Sequence, residues 1–302
     1  MAGRARRVIG DWGSTRLRLF LVENGETTAR LDGPGVTQLV EPAERVLARL
    51  LSVWLAAGAI EAITLCGMVG SPAGLAIAPY APCPVDAEGW HHARTRLRVL
   101  GHDVEILPGL SYRTDDGVPE VMRGEETQVF GAMALNPDLC AGDHVFALPG
   151  THGKWVSASD GTITGFRTAP TGEVYGAITG HTSLTGPETP GEGSFDDGFA
   201  RGLLRSAEPL PGTLFEARAA RLLDGRSRDW AKGYLSGVLI GAEVAQFGKG
   251  ARNVTLIGDP ALAALYATAL ADHGGSSQLV DGESAVVAGL AQAITLAESL
   301  RP

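Results

Sequence analysis

Apolar residues near the start of the chain fall into two short runs, at positions 8–9 and 17–22. The segment between them contains glycine and hydroxyl residues, Gly13, Ser14 and Thr15. Each run is rich in the residues that strands favour, and a tight turn between two such runs is typical of a β-hairpin. The pattern therefore predicts strands at 8–11 and 17–22 with a turn of small residues at their tip.

The same arrangement occurs once more near the middle of the chain. Residues 145–148 and 154–157 predict strands, and the turn between them contains Gly150, Thr151 and His152. No repeat is visible in the sequence itself, so we expect any duplication to be one of architecture.

Other segments alternate between strand and helix patterns. Strand patterns, each followed by a loop that contains glycine, occur at 62–66, 104–107 and 254–257. Helical patterns occur at 41–57, 125–135, 195–247, 261–271 and 285–300. Because α/β proteins bind ligands where strands end in such loops, these patterns predict an α/β protein with ligand sites at its glycine loops.

The length of 302 residues is enough for two hydrophobic cores, so we expect an N-terminal lobe at 1–122 and a C-terminal lobe at 123–302. A net charge of −9 argues against a nucleic-acid partner, which needs a positive field. No apolar run is long enough to cross a membrane. Three widely spaced cysteines, Cys66, Cys83 and Cys140, favour a reducing cytoplasm over a disulfide framework. No pattern indicates the oligomeric state.

Both turns have the residue types that a phosphate site requires. Glycine lets backbone N–H groups approach phosphate oxygens, and a carboxylate such as Asp11, at the end of the first strand, can hold the water shell of Mg²⁺. A single hairpin with an Asp beside its turn is common and needs no such function. Two of them, one in each predicted lobe, favour nucleotide binding. The second turn is not a P-loop, because Trp155 follows Lys154 and the chain continues as a strand.

An enzyme that phosphorylates a hydroxyl benefits from a carboxylate base, because an alcohol is a weak nucleophile until its proton has an acceptor. Glu125 and Glu126 follow Arg123 at the predicted start of a helix, between the two turns in sequence. An acidic pair that caps a surface helix would have the same pattern, so both interpretations stay open.

A set of motifs, in order along nearly the whole chain, resembles the 2-dehydro-3-deoxygalactonokinase family. The specific combination is Met-Arg-Gly-Glu-Glu-Thr-Gln at 122–128 with Pro-Gly-Thr-His at 149–152. Further matching segments are 11–15, 67–71, 78–80, 107–110, 166–168, 171–173 and 235–244.

The resemblance implies an α/β, two-lobed, actin-like ATPase fold of the ribonuclease H-like type, with ATP and substrate bound in a cleft between the lobes. It also implies transfer of the γ-phosphoryl group of ATP, with Mg²⁺, to the 6-hydroxyl of 2-dehydro-3-deoxy-D-galactonate in galactonate catabolism.

The resemblance also assigns roles to the candidate residues. Asp11 would orient the metal ion, Glu126 would be the base with Glu125 as its rival, and Gly258 would lie against adenosine. The residues that would cradle the phosphates are Gly13, Ser14, Thr15, Gly150, Thr151 and His152. The residues that would bind the sugar acid are Gly67, Met68, Val69 and Gly70, through their backbone, and the cations Arg123, Lys154 and Arg167. Related sugar kinases have an Asp in place of this Glu, and residues 258–260 only loosely match the family's Gly-Ser stretch.

Several alternatives are compatible with the same residues. Arg123 could pair with the neighbouring glutamates, Arg167 could face solvent, and Lys154 could bind phosphate instead of the sugar acid. A kinase for another small sugar or keto-deoxy acid, such as the gluconate-derived epimer, would share the fold and ATP site. A non-catalytic sugar sensor on a kinase fold is disfavoured, because the first strand begins by residue 7 and leaves no room for a DNA-binding domain.

Overall fold

The computed structural model of the protein describes residues 6–99 and 101–299. The strands are β1 (Arg6–Trp12), β2 (Arg16–Glu23), β3 (Glu26–Pro34), β4 (Ala62–Cys66), β5 (Tyr80–Pro82), β6 (Thr95–Val99), β7 (His102–Ile106), β8 (Gly109–Arg113), β9 (Pro119–Met122), β10 (Asp143–Leu148), β11 (Gly153–Ser159), β12 (Thr162–Ala169), β13 (Asn253–Gly258) and β14 (Ser276–Asp281). The α-helices are α1 (Ala43–Ala56), α2 (Ala87–His92), α3 (Glu125–Leu135), α4 (Thr171–His181), α5 (Phe195–Arg205), α6 (Leu210–Leu214), α7 (Glu216–Leu223), α8 (Arg228–Phe247), α9 (Pro260–Asp272) and α10 (Gly282–Ser299).

Two large sheets share one strand order. The first sheet has the order β3-β2-β1-β4-β7-β6, and the second has the order β12-β11-β10-β13-β14. In the first, β1 lies antiparallel to β2 and parallel to β4. In the second, β10, β13 and β14 are parallel. The first five strands of the first sheet thus have the same order as the second sheet, which confirms the predicted α/β class and the architectural duplication. A third, three-stranded sheet has the order β5-β8-β9.

The chain divides into two compact units, each made of more than one segment. The first unit contains the described residues up to Asp143, the segment Ser157–Gly165 and the helix that starts at Gly282. The second unit contains His144–Val156 and Phe166–Asp281. The predicted boundary between residues 122 and 123 therefore falls inside the first unit. The C-terminal helix also joins that unit, which the predicted lobes did not anticipate.

The core of the first unit lies on the apolar face of its large sheet. Val8, Leu19 and Leu65 are fully buried there, and α1 packs against them through an apolar stripe that includes Leu47. In the same unit, the backbones of α10 and α3 approach each other very closely. A Cβ atom added to Gly131 of α3 would lie 1.8 Å from a backbone carbonyl oxygen of α10, so only glycine permits this approach.

The core of the second unit lies between its sheet and helices α5, α8 and α9. Ala147, Leu256, Ile240 and Tyr266 are buried in it. Helix α8 has buried residues along most of its length, since residues 235–245 are mostly small or apolar. No helix within residues 6–99 and 101–299 combines the length and hydropathy needed to cross a bilayer.

Candidate active site

The first turn joins β1 to β2, and the segment that follows β3 forms hydrogen bonds with it. The backbone N–H of Gly13 donates to the carbonyl oxygen of Arg16 at 2.9 Å. The carbonyl oxygen of Ser14 accepts the backbone N–H and the hydroxyl of Thr37 at 3.0 and 2.7 Å. Ser14 and Thr15 themselves are exposed. The turn is therefore held through its backbone, while its two hydroxyl residues are exposed.

Asp11 is paired with a cation that was not among the predicted site residues. The Nη2 atom of Arg18 donates to Oδ2 of Asp11 at 2.5 Å, and the two residues are direct cross-strand partners in the β1–β2 ladder. The Nη1 atom of Arg18 also lies 3.4 Å from Oε2 of Glu283, at the start of α10. Arg30 donates to both oxygens of Glu283 at 2.7 Å. Asp11 is thus the innermost acid of a network of alternating charges, and Arg18 sets the direction of its carboxylate.

The loop after β4 comes close to Asp11. Gly67 has a φ of 88°, and a Cβ atom there would lie 3.1 Å from Oδ1 of Asp11 and 2.9 Å from the carbonyl oxygen of Trp12. A Cβ atom at Gly124 would in turn lie 3.3 Å from the Cα atom of Gly67. The loops at 67 and 124 therefore meet beside Asp11, because both glycines remove a side chain from the contact.

The four predicted residues of this loop differ in what they can offer a ligand. Val69 is fully buried in the core, so its side chain packs and only its backbone could bind. Gly70 lies beside Arg123, since a Cβ atom there would be 2.8 Å from Nη1 of that arginine. Met68 is partly buried and packs against the same core.

Glu126 lies at the first turn of α3 and is completely buried. Both of its carboxylate oxygens accept the backbone N–H of Gly124, at 2.8 and 2.7 Å. Burial raises the pKa of Glu126 from an ordinary value near 4.5 to about 8, and the negative charge of Glu125 adds to the shift. At neutral pH this carboxyl group is therefore mostly protonated.

Glu125 is only partly buried, and its Oε2 atom accepts the backbone N–H of Arg123 at 3.0 Å. Both glutamates thus bond to backbone N–H groups at the helix start, but α3 is largely buried and is not the surface helix of the capping interpretation. Their surroundings separate them, because only Glu126 is withdrawn completely from solvent.

Cys66 ends β4 and lies near both acids. Its Sγ atom is 3.9 Å from Oδ1 of Asp11, and the residue is fully buried. Burial raises the pKa of this thiol well above its usual value, and the charges of Asp11 and Glu126 raise it further. The thiol is therefore a neutral neighbour of the site and not a nucleophile.

The guanidinium of Arg123 uses only some of its hydrogen-bond donors. Its Nη2 atom donates to the carbonyl oxygen of Ala78 at 2.9 Å, and its guanidinium lies over the ring of Tyr80, 4.2 Å from the centroid. The Nε and Nη1 atoms are buried and find no acceptor within the described residues. A partly buried guanidinium with two buried, unused donor atoms is suited to a planar anion such as a carboxylate.

The second turn joins β10 to β11 in the second unit, and α4 begins against it. A Cβ atom at Gly172 would lie 2.4 Å from the carbonyl oxygen of Gly150, and the backbone N–H of Glu173 donates to the carbonyl oxygen of Thr151 at 3.0 Å. The ring Nε2 of His152 lies 2.6 Å from Oε2 of Glu173. The turn is thus held by the first residues of a helix, which were matched in sequence but given no role.

Two other predicted residues also lie at the second turn. The Nζ atom of Lys154 donates to the carbonyl oxygen of His152 at 3.1 Å, and a Cβ atom at Gly258 would lie 3.7 Å from the carbonyl oxygen of Pro149. Gly258 has a φ of 150°, a conformation that other residues rarely adopt. The third cation, Arg167, lies on β12 with its guanidinium 5.7 Å from the ring centroid of Phe247.

The contacts therefore group the predicted residues into two sets. In the first unit Asp11, Gly67 and Glu126 gather around the ends of β1 and β4 and the start of α3, with Arg123 beside Gly70. In the second unit Lys154 and Gly258 lie beside the turn at 150–152.

Asp11 is the predicted metal ligand of the first unit. Within residues 6–99 and 101–299 no group of three or more His, Cys, Asp or Glu residues is arranged to hold a metal. Mg²⁺ commonly binds through one or two carboxylates together with nucleotide phosphates and water, so a single carboxylate such as Asp11 fits that mode.

Comparison with known proteins gives a consistent result along the chain. The profile of the 2-keto-3-deoxy-galactonokinase family matches residues 11–293. The 2-dehydro-3-deoxygalactonokinase of Escherichia coli (strain K12) is 37% identical over 295 residues, which cover 95% of this chain and 96% of that protein. A crystal structure described as a 2-dehydro-3-deoxygalactonokinase from Sinorhizobium meliloti is 34% identical, with a TM-score of 0.86 over 98% of this chain and 97% of that one.

A more distant structure shows the fold alone. It is described as an N-acetylglucosamine kinase from Porphyromonas gingivalis, and it is 18% identical, with a TM-score of 0.50 over 95% of this chain and 98% of that one. This likeness agrees with the predicted α/β fold, whose two large sheets and two compact units are described above.

Proposed function

The chain belongs to the 2-keto-3-deoxy-galactonokinase family, and we propose that it transfers the γ-phosphoryl group of ATP to the 6-hydroxyl of 2-dehydro-3-deoxy-D-galactonate. The family match includes both turns and the acidic helix start, so the residues that the chemistry requires are all within it. The observation that carries the assignment is the meeting of Asp11, Gly67 and Glu126 in the first unit.

The reaction forms a bond between the sugar hydroxyl oxygen and the γ-phosphorus and breaks the bond between that phosphorus and the β–γ bridging oxygen. The hydroxyl proton needs an acceptor, and we assign this role to Glu126, with Glu125 as the rival. A base is most effective when its pKa is close to the working pH, and burial gives Glu126 a pKa of about 8. Glu125 lacks this seclusion from solvent.

We assign the carboxylate of the sugar acid to Arg123. Its two unused, buried donors need an acceptor, and leaving them unpaired costs free energy. Gly70 lies beside the guanidinium, and the backbone of the loop at 67–70 could supply further contacts to the sugar. Lys154 bonds to the second turn itself, which supports a role toward phosphate, and Arg167 is engaged with an aromatic ring.

We assign the phosphates of ATP to the two turns, Gly13 to Thr15 in the first unit and Gly150 to His152 in the second. A Cβ atom at Gly150 would meet nothing within 4 Å, so packing within the protein does not require glycine there. Close approach of a phosphate to the backbone would explain it. Gly258, next to the second turn, is assigned to adenosine.

Mg²⁺, when bound with the nucleotide, would neutralise charge on the transferred phosphoryl group. Asp11 is the carboxylate that would hold it, and Arg18 orients that carboxylate. We further propose a cytoplasmic enzyme without a nucleic-acid partner, because ATP is the phosphoryl donor and the net charge is −9.

A substrate panel tests the assignment. The purified protein is incubated with ATP, Mg²⁺ and either the galactonate-derived or the gluconate-derived keto-deoxy acid, and ADP and the phosphorylated product are quantified. We expect the higher kcat/KM for the galactonate-derived compound, with the phosphate on its 6-oxygen. Turnover no faster than ATP hydrolysis without acceptor would refute the proposal, and a preference for the epimer would assign the protein to that substrate instead.

A further inference from the structure

A carboxylate on α8 lies buried behind the second turn and has no part in the chemistry proposed above. Glu243 is 4% exposed, and its Oε1 atom accepts the indole N–H of Trp155 at 2.8 Å. Its Oε2 atom accepts the hydroxyl of Tyr266 at 2.7 Å, and the side chain of Thr171 bonds to it as well. One carboxylate therefore joins β11, α9 and α4 to α8.

The segments joined in this way are those that form and support the turn. A Cβ atom at Gly153, where the turn becomes β11, would lie 3.0 Å from Oε1 of Glu243. Thr171 directly precedes Gly172, whose backbone packs against Gly150. The carboxylate thus fixes the strand that leaves the turn and also the helix start that supports the turn.

This arrangement is costly for a residue that only fills space. Burial raises the pKa of Glu243 although three donors point at it. Replacing a buried charged group with a well-packed apolar residue often stabilises a protein. An acid at this position is therefore explained better by the geometry that it imposes on its donors than by the stability that it adds.

We propose that Glu243 is a positioning residue that holds residues 150–153 in the conformation in which their backbone binds the phosphates of the nucleotide. The inference rests on the proposed role of the second turn in ATP binding. It assigns to Glu243 no contact with either substrate.

Two buried tyrosines of the second unit provide a matched pair of variants. Tyr266→Phe removes a donor to Glu243, whereas Tyr234→Phe removes a hydroxyl that bonds to Thr213 and Glu216 elsewhere in the same unit. We expect Tyr266→Phe to weaken ADP binding about fivefold to tenfold, as expected for the loss of a hydrogen bond to a charged group, with adenosine affinity unchanged. Tyr234→Phe should lower the Tm about as much as Tyr266→Phe does, and it should leave the affinities for ADP and adenosine as in the wild type.

Substitutions of the acid itself extend the test. Glu243→Met should weaken ADP binding by at least about tenfold, since it removes the acceptor of all three donors. Glu243→Gln should restore most of the affinity, because its amide oxygen can accept from Trp155 while its amide N–H donates to the hydroxyl of Tyr266. Where Glu243→Met does not fold, the tyrosine pair and the glutamine variant decide the question.

Titration calorimetry with ADP and adenosine distinguishes the outcomes. Selective loss of ADP affinity in Tyr266→Phe supports the inference. Unchanged ADP affinity, or equal losses for ADP and adenosine, would overturn it. A wild-type protein that binds no ADP would instead refute the proposed nucleotide site, and this result appears before any variant is compared.

Discussion

Replacement of Glu126 by glutamine should change the stability of the protein by an amount that depends on pH. In the folded chain burial holds the pKa of Glu126 at about 8, whereas an ordinary glutamate has a pKa near 4.5. Folding therefore favours the protonated form, so the residue costs stability as the pH rises from 4.5 to 8. At about 1.4 kcal/mol per pKa unit, the cost is roughly 3 kcal/mol at pH 7 and about 5 kcal/mol above pH 8.

Glutamine has the shape of the protonated acid and does not ionise, so the variant avoids this cost. We expect Glu126→Gln to match the wild type near pH 4.5 and to be more stable by about 3 kcal/mol at pH 7. Urea unfolding at several pH values measures the difference. Glu125→Gln, one residue earlier and partly exposed, is the matched control. Its difference in unfolding free energy from the wild type should not increase with pH. A difference between Glu126→Gln and the wild type that stays constant with pH would refute a buried, protonated carboxyl group.

The same variant tests the role of the residue in catalysis. Removal of a general base typically lowers kcat by a factor of about 10² to 10⁴, while nucleotide binding should stay close to that of the wild type. In the wild type, kcat/KM should rise with pH and level off above about pH 8, because only the ionised form of Glu126 accepts a proton. Normal turnover by Glu126→Gln combined with an inactive Glu125→Gln would move the role to Glu125.

Three further substitutions or modifications test other parts of the structure. Arg123→Met should raise KM for the sugar acid by about tenfold to a hundredfold in steady-state assays, since a charge-assisted contact is lost, and a change in KM for ATP alone would contradict its assignment. Gly131→Ala should destabilise the protein by about 1–3 kcal/mol through a clash with α10, whereas Gly176→Ala, on the open side of α4, should not; denaturant unfolding of both variants gives the comparison. Iodoacetamide should modify the exposed Cys140 in the native protein and the buried Cys66 only after unfolding, and mass spectrometry that finds equal labelling would contradict the burial of Cys66.

The first and last residues of an element could be predicted where its own sequence has a strong pattern. Strands that form because a neighbouring strand pairs with them could not be predicted. Helix α3 and strand β4 begin and end where their patterns indicated, the first with acidic residues in its first turn and the second with a run of buried apolar residues. Helix α1 begins two residues late because Pro42 occupies its N-cap. The unpredicted strands β3 and β14 contain no buried residue and exist because β2 and β13 pair with them. The end of the helix predicted at 285–300 falls on residue 300, outside the described residues.

Most residues of the candidate site could be predicted from the sequence, but the contacts between them could not. The hairpin pattern located Asp11, and counting back from the turn would also have placed Arg18 opposite it. The contact of Arg18 with Glu283 joins residues 265 positions apart, and no local pattern indicates such a contact. The sequence pattern places Glu243 in a helical segment and indicates none of its contacts, because its donors come from three other elements. The roles assigned to these residues stay predictions until the variants are measured.

Three acids of the chain differ in the partners that they have, and this difference divides their proposed roles. Asp11 faces the guanidinium of Arg18, which fixes the direction of its carboxylate, as a metal ligand requires. Glu243 is buried and accepts hydrogen bonds from donors on three elements, so it can hold those elements in place. Glu126 is buried with backbone and hydroxyl donors from its own helix start, and its pKa is raised to about 8. A pKa of about 8 lets Glu126 gain and lose a proton near neutral pH, and the enzyme's activity should therefore follow the ionisation of this residue.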